Sequence, residues 1–136
     1  LSKPILERID IFAEARPLSF EDIAGACRKG DSEEDSEKVR ERVERVRQIQ
    51  KERFRDIPGV EFNGRMGIEE TERFCAPERS AAELLREVFR LRELSGRTYH
   101  RILRVARTIA DLDGKERIGE EQVMEAVNLR DLEARL

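Results

Sequence analysis

Four arginines recur at intervals of four, three and three residues: Arg97, Arg101, Arg104 and Arg107. On a helix with about 3.6 residues per turn, this spacing places the four guanidinium groups on one strip. Like charges so spaced repel by a few tenths of a kcal/mol per pair, so acidic neighbours or a bound anion must offset the repulsion. Because a guanidinium fork matches phosphate oxygens, the row predicts recognition of an anion, held mostly by residues outside this chain.

Arg97 differs from the other three because it lies in the first turn, just after Ser95, a residue type that caps helices. Free backbone N–H groups and the helix dipole already favour an anion there. We therefore predict that Arg97 contacts phosphate. Two interpretations stay open for Arg101 and Arg104, which either bind the anion as well or form a solvated face paired with surface acids. Arg107 is expected to serve docking or to face water.

The helix that carries these arginines is predicted to run from Arg97 to Asp111 or Leu112, and Asp113-Gly114 should end it. Its apolar positions cover more than half of the circumference: Tyr99, Ile102, Leu103, Val105, Ala106, Ile109, Ala110 and Leu112. That breadth indicates a central helix, buried on a wide face.

The rest of the chain favours helices. Of 136 residues, 42% are charged and 5% aromatic, which suits amphipathic helices better than a β-sandwich. Further helices are predicted at about 20–27, 36–55, 68–75, from Pro77 onward and at 120–130, with a loop at 56–67. The helix at 36–55 has a narrow apolar stripe of Val39, Val43, Val46 and Ile49. It should be mostly solvated or lie between two bodies.

The start of the chain alternates apolar and polar residues from Ile9 to Ala15 and then meets Pro17, which predicts one strand. A single strand cannot satisfy its own edges, so it should pair with a sheet outside this chain. The first residue is Leu1 rather than Met, and we expect a segment of a longer protein. The predicted fold is mainly α, a small helical bundle preceded by a long charged helix and one leftover strand. The expected divisions are 1–30, 31–60 and 61–136.

Several other chemistries are not supported. Gly25 and Gly30 have the spacing of a phosphate-binding loop, but Asp31 stands where the motif needs lysine. Cys27 and Cys75 belong to no CxxC pair, so we predict no metal site and two reduced thiols. A net charge of −3 does not favour nucleic-acid binding through the overall field, and no apolar run approaches the ~20 residues of a membrane span.

Residues 95–112, SGRTYHRILRVARTIADL, resemble the C-terminal signature of magnesium-chelatase-like AAA+ ATPases, and most closely the ComM (YifB) competence-protein branch. The chain departs from that pattern at Lys3, Glu7 and Leu129, where the family has Gly, Asp and Tyr. Further matches follow in order: Leu6-Glu7-Arg8-Ile9-Asp10, Arg47, Gln50, Arg53-Phe54, Asn63, Met66 and Phe74-Cys75.

The resemblance implies a preceding ATPase core with the Walker A and B motifs, of which residues 9–15 would be the last strand. The helix from about Ser36 would be an insertion and residues 61–136 the helical lid. Arg97 then matches the sensor-2 arginine, which touches the γ-phosphate of ATP held with Mg²⁺ by the protein's own core. Arg8 matches an arginine finger that reaches the neighbouring subunit's nucleotide, although an ordinary surface arginine remains equally open. Without its core the chain is not expected to hydrolyse ATP.

The resemblance also implies a cytoplasmic ring of identical subunits, six in number, with no membrane association. Its ComM branch implies a motor that remodels DNA, and Tyr99-His100-Arg101 after Arg97 favours that branch. One alternative is the motor subunit of magnesium chelatase, which serves metal insertion into a porphyrin. The other is a helical interaction module without nucleotide, whose arginine strip docks an acidic partner.

Overall fold

The structure, a computed structural model, describes residues 2–15, 17–25 and 35–130. Its helices are α1 (Lys3–Leu6), α2 (Phe20–Gly25), α3 (Ser36–Arg53), α4 (Ile68–Phe74), α5 (Arg79–Leu91), α6 (Gly96–Leu112) and α7 (Glu120–Asn128), with a 3₁₀ turn at Asn63–Arg65. The predicted mainly α fold with a small helical bundle is confirmed. None of these helices is long and apolar enough to cross a bilayer.

Helix α6 is the centre of the bundle, as its broad apolar face predicts. It packs against α7, α3, α4 and the 3₁₀ turn. Tyr99 is half-buried and Leu112 is exposed, but the remaining predicted apolar positions are buried: Ile102, Leu103, Val105, Ala106, Ile109 and Ala110. The facing helices contribute further core residues, among them Ala81, Leu85, Val123, Ala126 and Val127. Burial of this shared face orients α6 relative to its neighbours.

Both ends of α6 form as the sequence predicts. At its start the Ser95 hydroxyl accepts the Thr98 N–H at 3.2 Å. At its end Gly114 has a φ of 66°, a left-handed conformation that glycine adopts without a Cβ clash. The chain then turns so that the Lys115 N–H reaches the Ala110 carbonyl at 2.8 Å. These caps hold Arg97 in the first turn of a helix with well-defined limits.

Helix α3 is fastened to the bundle by its C-terminal half. Val46 and Gln50 are buried, and Phe54 follows them into the core, where its ring meets Phe74 edge to face at 5.4 Å. Val43 stays 42% exposed, in agreement with a narrow apolar stripe on a largely solvated rod. The helix ends at Arg53, two residues before the predicted limit.

Residues 9–15 do not form a strand in this structure, which has none in its described ranges, and their pairing with a sheet outside this chain stays a prediction. The segment lies without regular structure against the end of the bundle. There the Phe12 N–H donates to the Leu129 carbonyl at 2.8 Å, and the Arg130 guanidinium lies over the Phe12 ring. A strand needs a neighbouring strand for its backbone groups, and none is present here to supply one. Cys27, Asp31 and most of the acidic loop lie outside the described residues.

Candidate functional site

Arg97 lies in the first turn of α6 with an exposed side chain. Within the described part of the chain, its guanidinium group has no hydrogen-bond or ion-pair partner. The Gly96 and Arg97 N–H groups come before the first intrahelical bond and so have no acceptor within the helix. The first turn therefore presents backbone donors, the positive end of the dipole and one unengaged guanidinium group.

Aromatic contacts brace this turn. His100 Nδ1 donates to the Gly96 carbonyl at 2.8 Å, and the Tyr99 ring meets His100 edge to face at 5.4 Å. On its other side Tyr99 meets Phe89 of α5 at 5.9 Å, again edge to face. The turn that carries Arg97 is thus tied to the neighbouring helix, so the arginine extends from a rigid base.

Arg101 lies one turn further along and is engaged within the chain. It donates to the Arg8 carbonyl at 2.8 Å and forms an ion pair with Asp10, and its side chain is 16% exposed. These contacts hold the backbone of residues 8–10 against the first half of α6, while the Arg8 side chain stays exposed. The structure therefore brings the segment that carries Arg8 to within one turn of Arg97.

Arg104 and Arg107 point into the bundle. Arg104 donates to the Met66 carbonyl at 2.8 Å. The expectation that Arg107 faces water is wrong, since Arg107 is only 4% exposed and donates at 2.7 Å to the carbonyls of Lys115 and Glu116. Around Arg107, the wide apolar face takes up most of the circumference of α6. The loop after α6 covers the remaining polar strip.

A buried polar cluster joins α3 to the C-terminal half of α6. We call it the α3–α6 clamp, formed by Arg53, Asn63, Arg107 and Asp111. Arg53 donates through both terminal nitrogens to the Asp111 carboxylate, at 2.7 and 2.5 Å, and Arg107 Nε donates to it at 3.2 Å. One carboxylate thus accepts from two guanidinium groups. Such a bidentate, largely buried arrangement strengthens each charged contact.

Asn63 completes the clamp, and its side chain makes three of its four possible hydrogen bonds. Its Oδ1 accepts from Arg53 at 2.9 Å, and its Nδ2 donates to Asp111 at 2.8 Å and to the Thr108 hydroxyl at 3.0 Å. The Asn63 backbone N–H donates to Gln50 Oε1 at 2.9 Å. Buried amides are stable only when satisfied in this way, so the clamp specifies one arrangement of α3, the 3₁₀ turn and α6.

Burial dominates the electrostatics around the clamp. It lowers the pKa of Arg107, and nearby Arg53 adds to that effect while Asp111 opposes it. Burial also raises the pKa of the Cys75 thiol from 9.0 to about 12, although Arg107, Arg53 and Arg104 all act in the opposite direction. The Cys75 thiol contacts Met66 Sδ at 3.9 Å. Since only a thiolate is an effective nucleophile, Cys75 is a core residue rather than a reactive one.

Sequence reasoning missed the clamp. Asn63-Gly64 predicts a turn, and the turn is present, but nothing in that dipeptide indicates a buried amide that bonds both partners of the Arg53–Asp111 ion pair. The available signal was the order of family matches, because Arg53 and Asn63 belong to the clamp and Gln50 accepts the Asn63 N–H. Their agreement with the family pattern reflects how the bundle is held together.

The first turn of α6 fits one end of a polyphosphate, since it offers only donors and positive charge. It does not supply a complete nucleotide site. The described residues contain no group of three or more His, Cys, Asp or Glu side chains that could hold a metal ion.

Comparisons with known proteins agree with the resemblance. Residues 33–130 match the family described as magnesium chelatase, subunit ChlI C-terminal. The chain is 38% identical over 130 residues to the competence protein ComM of Haemophilus influenzae. The matched residues are 96% of this chain but 24% of that protein. This chain is 32% identical over 131 residues to the uncharacterized protein YifB of Salmonella typhimurium, with the same coverage of both.

An uncharacterized protein of Mycobacterium tuberculosis is 33% identical over 135 residues, which are 99% of this chain and 26% of that protein. The chain thus spans about a quarter of the length of the curated relatives it matches. It belongs to the magnesium chelatase ChlI C-terminal family, and its bundle is the C-terminal helical domain of an AAA+ family protein.

Proposed function

We propose that this chain is the lid of a ring-forming AAA+ ATPase and supplies a sensor-2 arginine, Arg97, to ATP bound by a separate core. The observation that carries the proposal is the contrast along α6. Arg101, Arg104 and Arg107 bind groups of this chain, whereas Arg97 has no partner among the described residues and extends from a helix start that attracts anions.

Phosphoryl transfer spreads negative charge over the transferred group. ATP with Mg²⁺ would supply the reacting phosphates and the bridging metal charge when bound to the core. Arg97 would stabilise the charge that develops on the γ-phosphoryl oxygens, because a guanidinium group stays protonated and forms forked hydrogen bonds. Its rigid base, braced by Tyr99 and His100, limits the reorganisation needed during the reaction.

Arg8 is proposed to act on the nucleotide of the neighbouring subunit in the ring. Its side chain is exposed, while its carbonyl is held by Arg101. A finger supplied in trans makes hydrolysis depend on assembly, because an isolated subunit lacks that charge. Arg101 and Arg104 remain proposed as further nucleotide contacts, although each would have to exchange its present carbonyl partner for phosphate.

The proposed ring is cytoplasmic, contains six identical subunits, and acts on DNA as a remodelling motor, in line with the similarity to ComM. A magnesium-chelatase motor subunit is the second candidate, because the family is described by the ChlI subunit. A module that docks an acidic partner through the α6 strip is less well supported, since three of the four arginines are engaged within the chain.

The test of Arg97 uses this chain joined to its ATPase core. Arg97→Ala should lower the hydrolysis rate about a hundredfold or more, because a lost transition-state charge contact costs several kcal/mol. Arg86→Ala, at an exposed position on α5, is the matched control and should leave the rate unchanged. Normal turnover by the Arg97 variant would exclude a phosphate role for that residue.

Arg8 requires a test of action in trans. Arg8→Ala subunits are mixed with subunits that cannot bind nucleotide, and ATP hydrolysis is measured across mixing ratios. Partial recovery in mixed rings supports a finger, whereas no recovery at any ratio contradicts it. The 136-residue chain alone should hydrolyse no ATP, and sustained turnover by it would contradict the need for a separate core.

The two candidate activities predict different stimulation of the ATPase. A DNA-remodelling motor should hydrolyse ATP faster when duplex or branched DNA is added. A chelatase motor should respond to its partner subunits and porphyrin, and not to DNA. Failure of DNA to stimulate a ring that hydrolyses ATP would remove the DNA proposal and leave the role of Arg97 intact.

A further inference from the structure

A second surface of the bundle is separate from the Arg97 end. A groove of about 980 Å³ runs between α3, the loop that follows it and the last turns of α6. Three of its lining side chains are large, apolar and substantially exposed: Val43 at 42%, Phe62 at 46% and Leu112 at 40%. Its apolar floor consists of Val43, Val46, Phe54, Ile57, Val60, Phe62 and Leu112.

Three cations border this floor: Arg47 and Lys51 on α3, and Arg55 in the turn that follows it. Arg47 and Lys51 are four residues apart and so lie on one face of the helix. Arg55 pairs with Glu52 at 2.9 Å, but Arg47 and Lys51 have no ion-pair partner within the described ranges. Among the described residues that line the groove, Glu61 is the one carboxylate, on the loop after α3. The cationic border carries excess positive charge on a chain whose net charge is −3.

The groove is remote from the proposed nucleotide contact. Its α6 residues are Thr108 and Leu112, eleven and fifteen positions beyond Arg97. At about 1.5 Å of rise per residue, they lie roughly 16 to 22 Å away along the helix axis. A partner in this groove would therefore not compete directly with phosphate at the start of α6.

The lining chemistry identifies the kind of partner. Aliphatic and aromatic side chains of another protein would fill the floor, and carboxylates at four-residue spacing would meet Arg47 and Lys51. Nucleic acid fits less well, because a sugar-phosphate backbone satisfies the cations but leaves the aliphatic floor exposed. The Arg65 guanidinium group also lies over one face of the Phe62 ring, 5.8 Å from the ring centroid, and so occupies one of its two stacking faces.

We propose that the groove between α3 and the end of α6 binds an amphipathic helix of a protein partner, with apolar residues on one face and carboxylates along its edge. The α3 residues from Val43 to Arg53 span about 15 Å of helix, long enough to accompany nearly three turns of a bound helix. Carboxylates of the bound helix would relieve the repulsion between Arg47 and Lys51, and this relief favours a partner helix with an acidic edge.

The test uses the whole 136-residue chain and two synthetic helical peptides. The first has leucines at helical spacing and glutamates along one edge, and the second replaces every glutamate with lysine. Fluorescence anisotropy should show saturable binding of the acidic peptide and at least about tenfold weaker binding of the basic one. Val43→Ser should weaken binding of the acidic peptide about threefold or more, because it removes apolar surface from the floor.

Charge reversal provides the matched control. Arg47→Glu with Lys51→Glu should weaken the acidic peptide about tenfold or more. Arg40→Glu with Arg45→Glu makes the same change in net charge at exposed positions of α3 that do not line the groove. This double variant should weaken binding of the acidic peptide about twofold or less. Circular dichroism of both double variants should match the parent chain, which separates lost binding from lost folding.

Three results would overturn the proposal. Equal losses in both double variants would show that net charge, and not the groove, attracts the peptide. Displacement of the acidic peptide by a 15-nucleotide single-stranded DNA, with DNA binding lost on Arg47→Glu and Lys51→Glu, would assign the surface to nucleic acid. Loss of peptide binding when the chain is joined to its ATPase core would show that the core covers the groove.

Discussion

Both ends of α6 carry arginines, and the two ends use them in opposite ways. At the C-terminal end Arg107 is buried and shares Asp111 with Arg53. At the N-terminal end Arg97 is exposed and has no partner among the described residues. The difference shows that a row of arginines on one helix need not form one surface, because burial changes along the helix while the sequence pattern does not.

Each end has a physical reason for its use of arginine. Deep in the bundle a guanidinium group needs a carboxylate and carbonyls to compensate for lost hydration, and the clamp provides both. At the start of a helix the dipole already favours an anion, so an arginine left unpaired there is suited to binding one. The clamp end should therefore govern stability, and the Arg97 end should govern function.

The largest stability effect should follow from removing the shared carboxylate. Asp111→Ala leaves Arg53 and Arg107 without their anion and is expected to destabilise the fold by about 3–5 kcal/mol, since breaking a buried charge cluster strands its partners. Urea unfolding followed by circular dichroism measures this change. Asp56→Ala, at a side chain that is 89% exposed, is the control and should change stability by less than about 0.5 kcal/mol. A small effect of Asp111→Ala would mean that the clamp is not the stabilising end.

The next effect is a change of stability with pH. It tests whether burial outweighs the three nearby arginines in setting the pKa of Cys75. Its folded-state pKa of about 12 lies above the ordinary value of 9.0, so the folded chain keeps a proton that the unfolded chain releases. Stability from this thiol is complete below pH 9 and is lost as pH rises from 9 towards 12, by about 1.4 kcal/mol per pH unit. Urea midpoints of the parent chain and Cys75→Ala, measured from pH 8 to 10.5, should diverge accordingly. Parallel curves would show that the arginines, and not burial, set the pKa.

A smaller effect is expected at Arg101, between the two ends. Arg101→Ala removes the ion pair with Asp10, whose side chain is 54% exposed, so the cost should be at most about 1 kcal/mol. The loss should shrink further at high salt, because exposed pairs are screened. Urea unfolding at low and high salt measures it. A salt-independent loss above 2 kcal/mol would place Arg101 with the clamp instead.

The smallest stability effect should be that of Arg97. Arg97→Ala removes an exposed guanidinium group without an internal partner and should change the free energy of unfolding by less than about 0.5 kcal/mol. This holds even though the same substitution should greatly reduce ATP hydrolysis when the core is attached. Thermal unfolding compared with Arg86→Ala measures it. A loss as large as that of Asp111→Ala would remove the distinction between the two ends.

Much of the fold could be predicted because its signals are local. The apolar period, the Ser95 cap and the Gly114 stop together specify α6, and Val123, Ala126 and Val127 specify the buried face of α7. The strand at residues 9–15 was predicted from alternation and is absent, because a strand is a property of two segments and not of one. Local patterns thus predicted helices well and the isolated strand badly.

The sequence by itself determined that α6 is a central helix, that Arg97 stands in its first turn, and that the chain is a mainly α member of its family. Only the tertiary structure decided which arginines remain available. The partners of Arg53 and Asn63 lie 58 and 45 residues away along the chain, at Asp111 and Thr108. Helical periodicity records which face a side chain is on. It does not record how deeply that face is buried at each end, because depth depends on which distant segments pack over it.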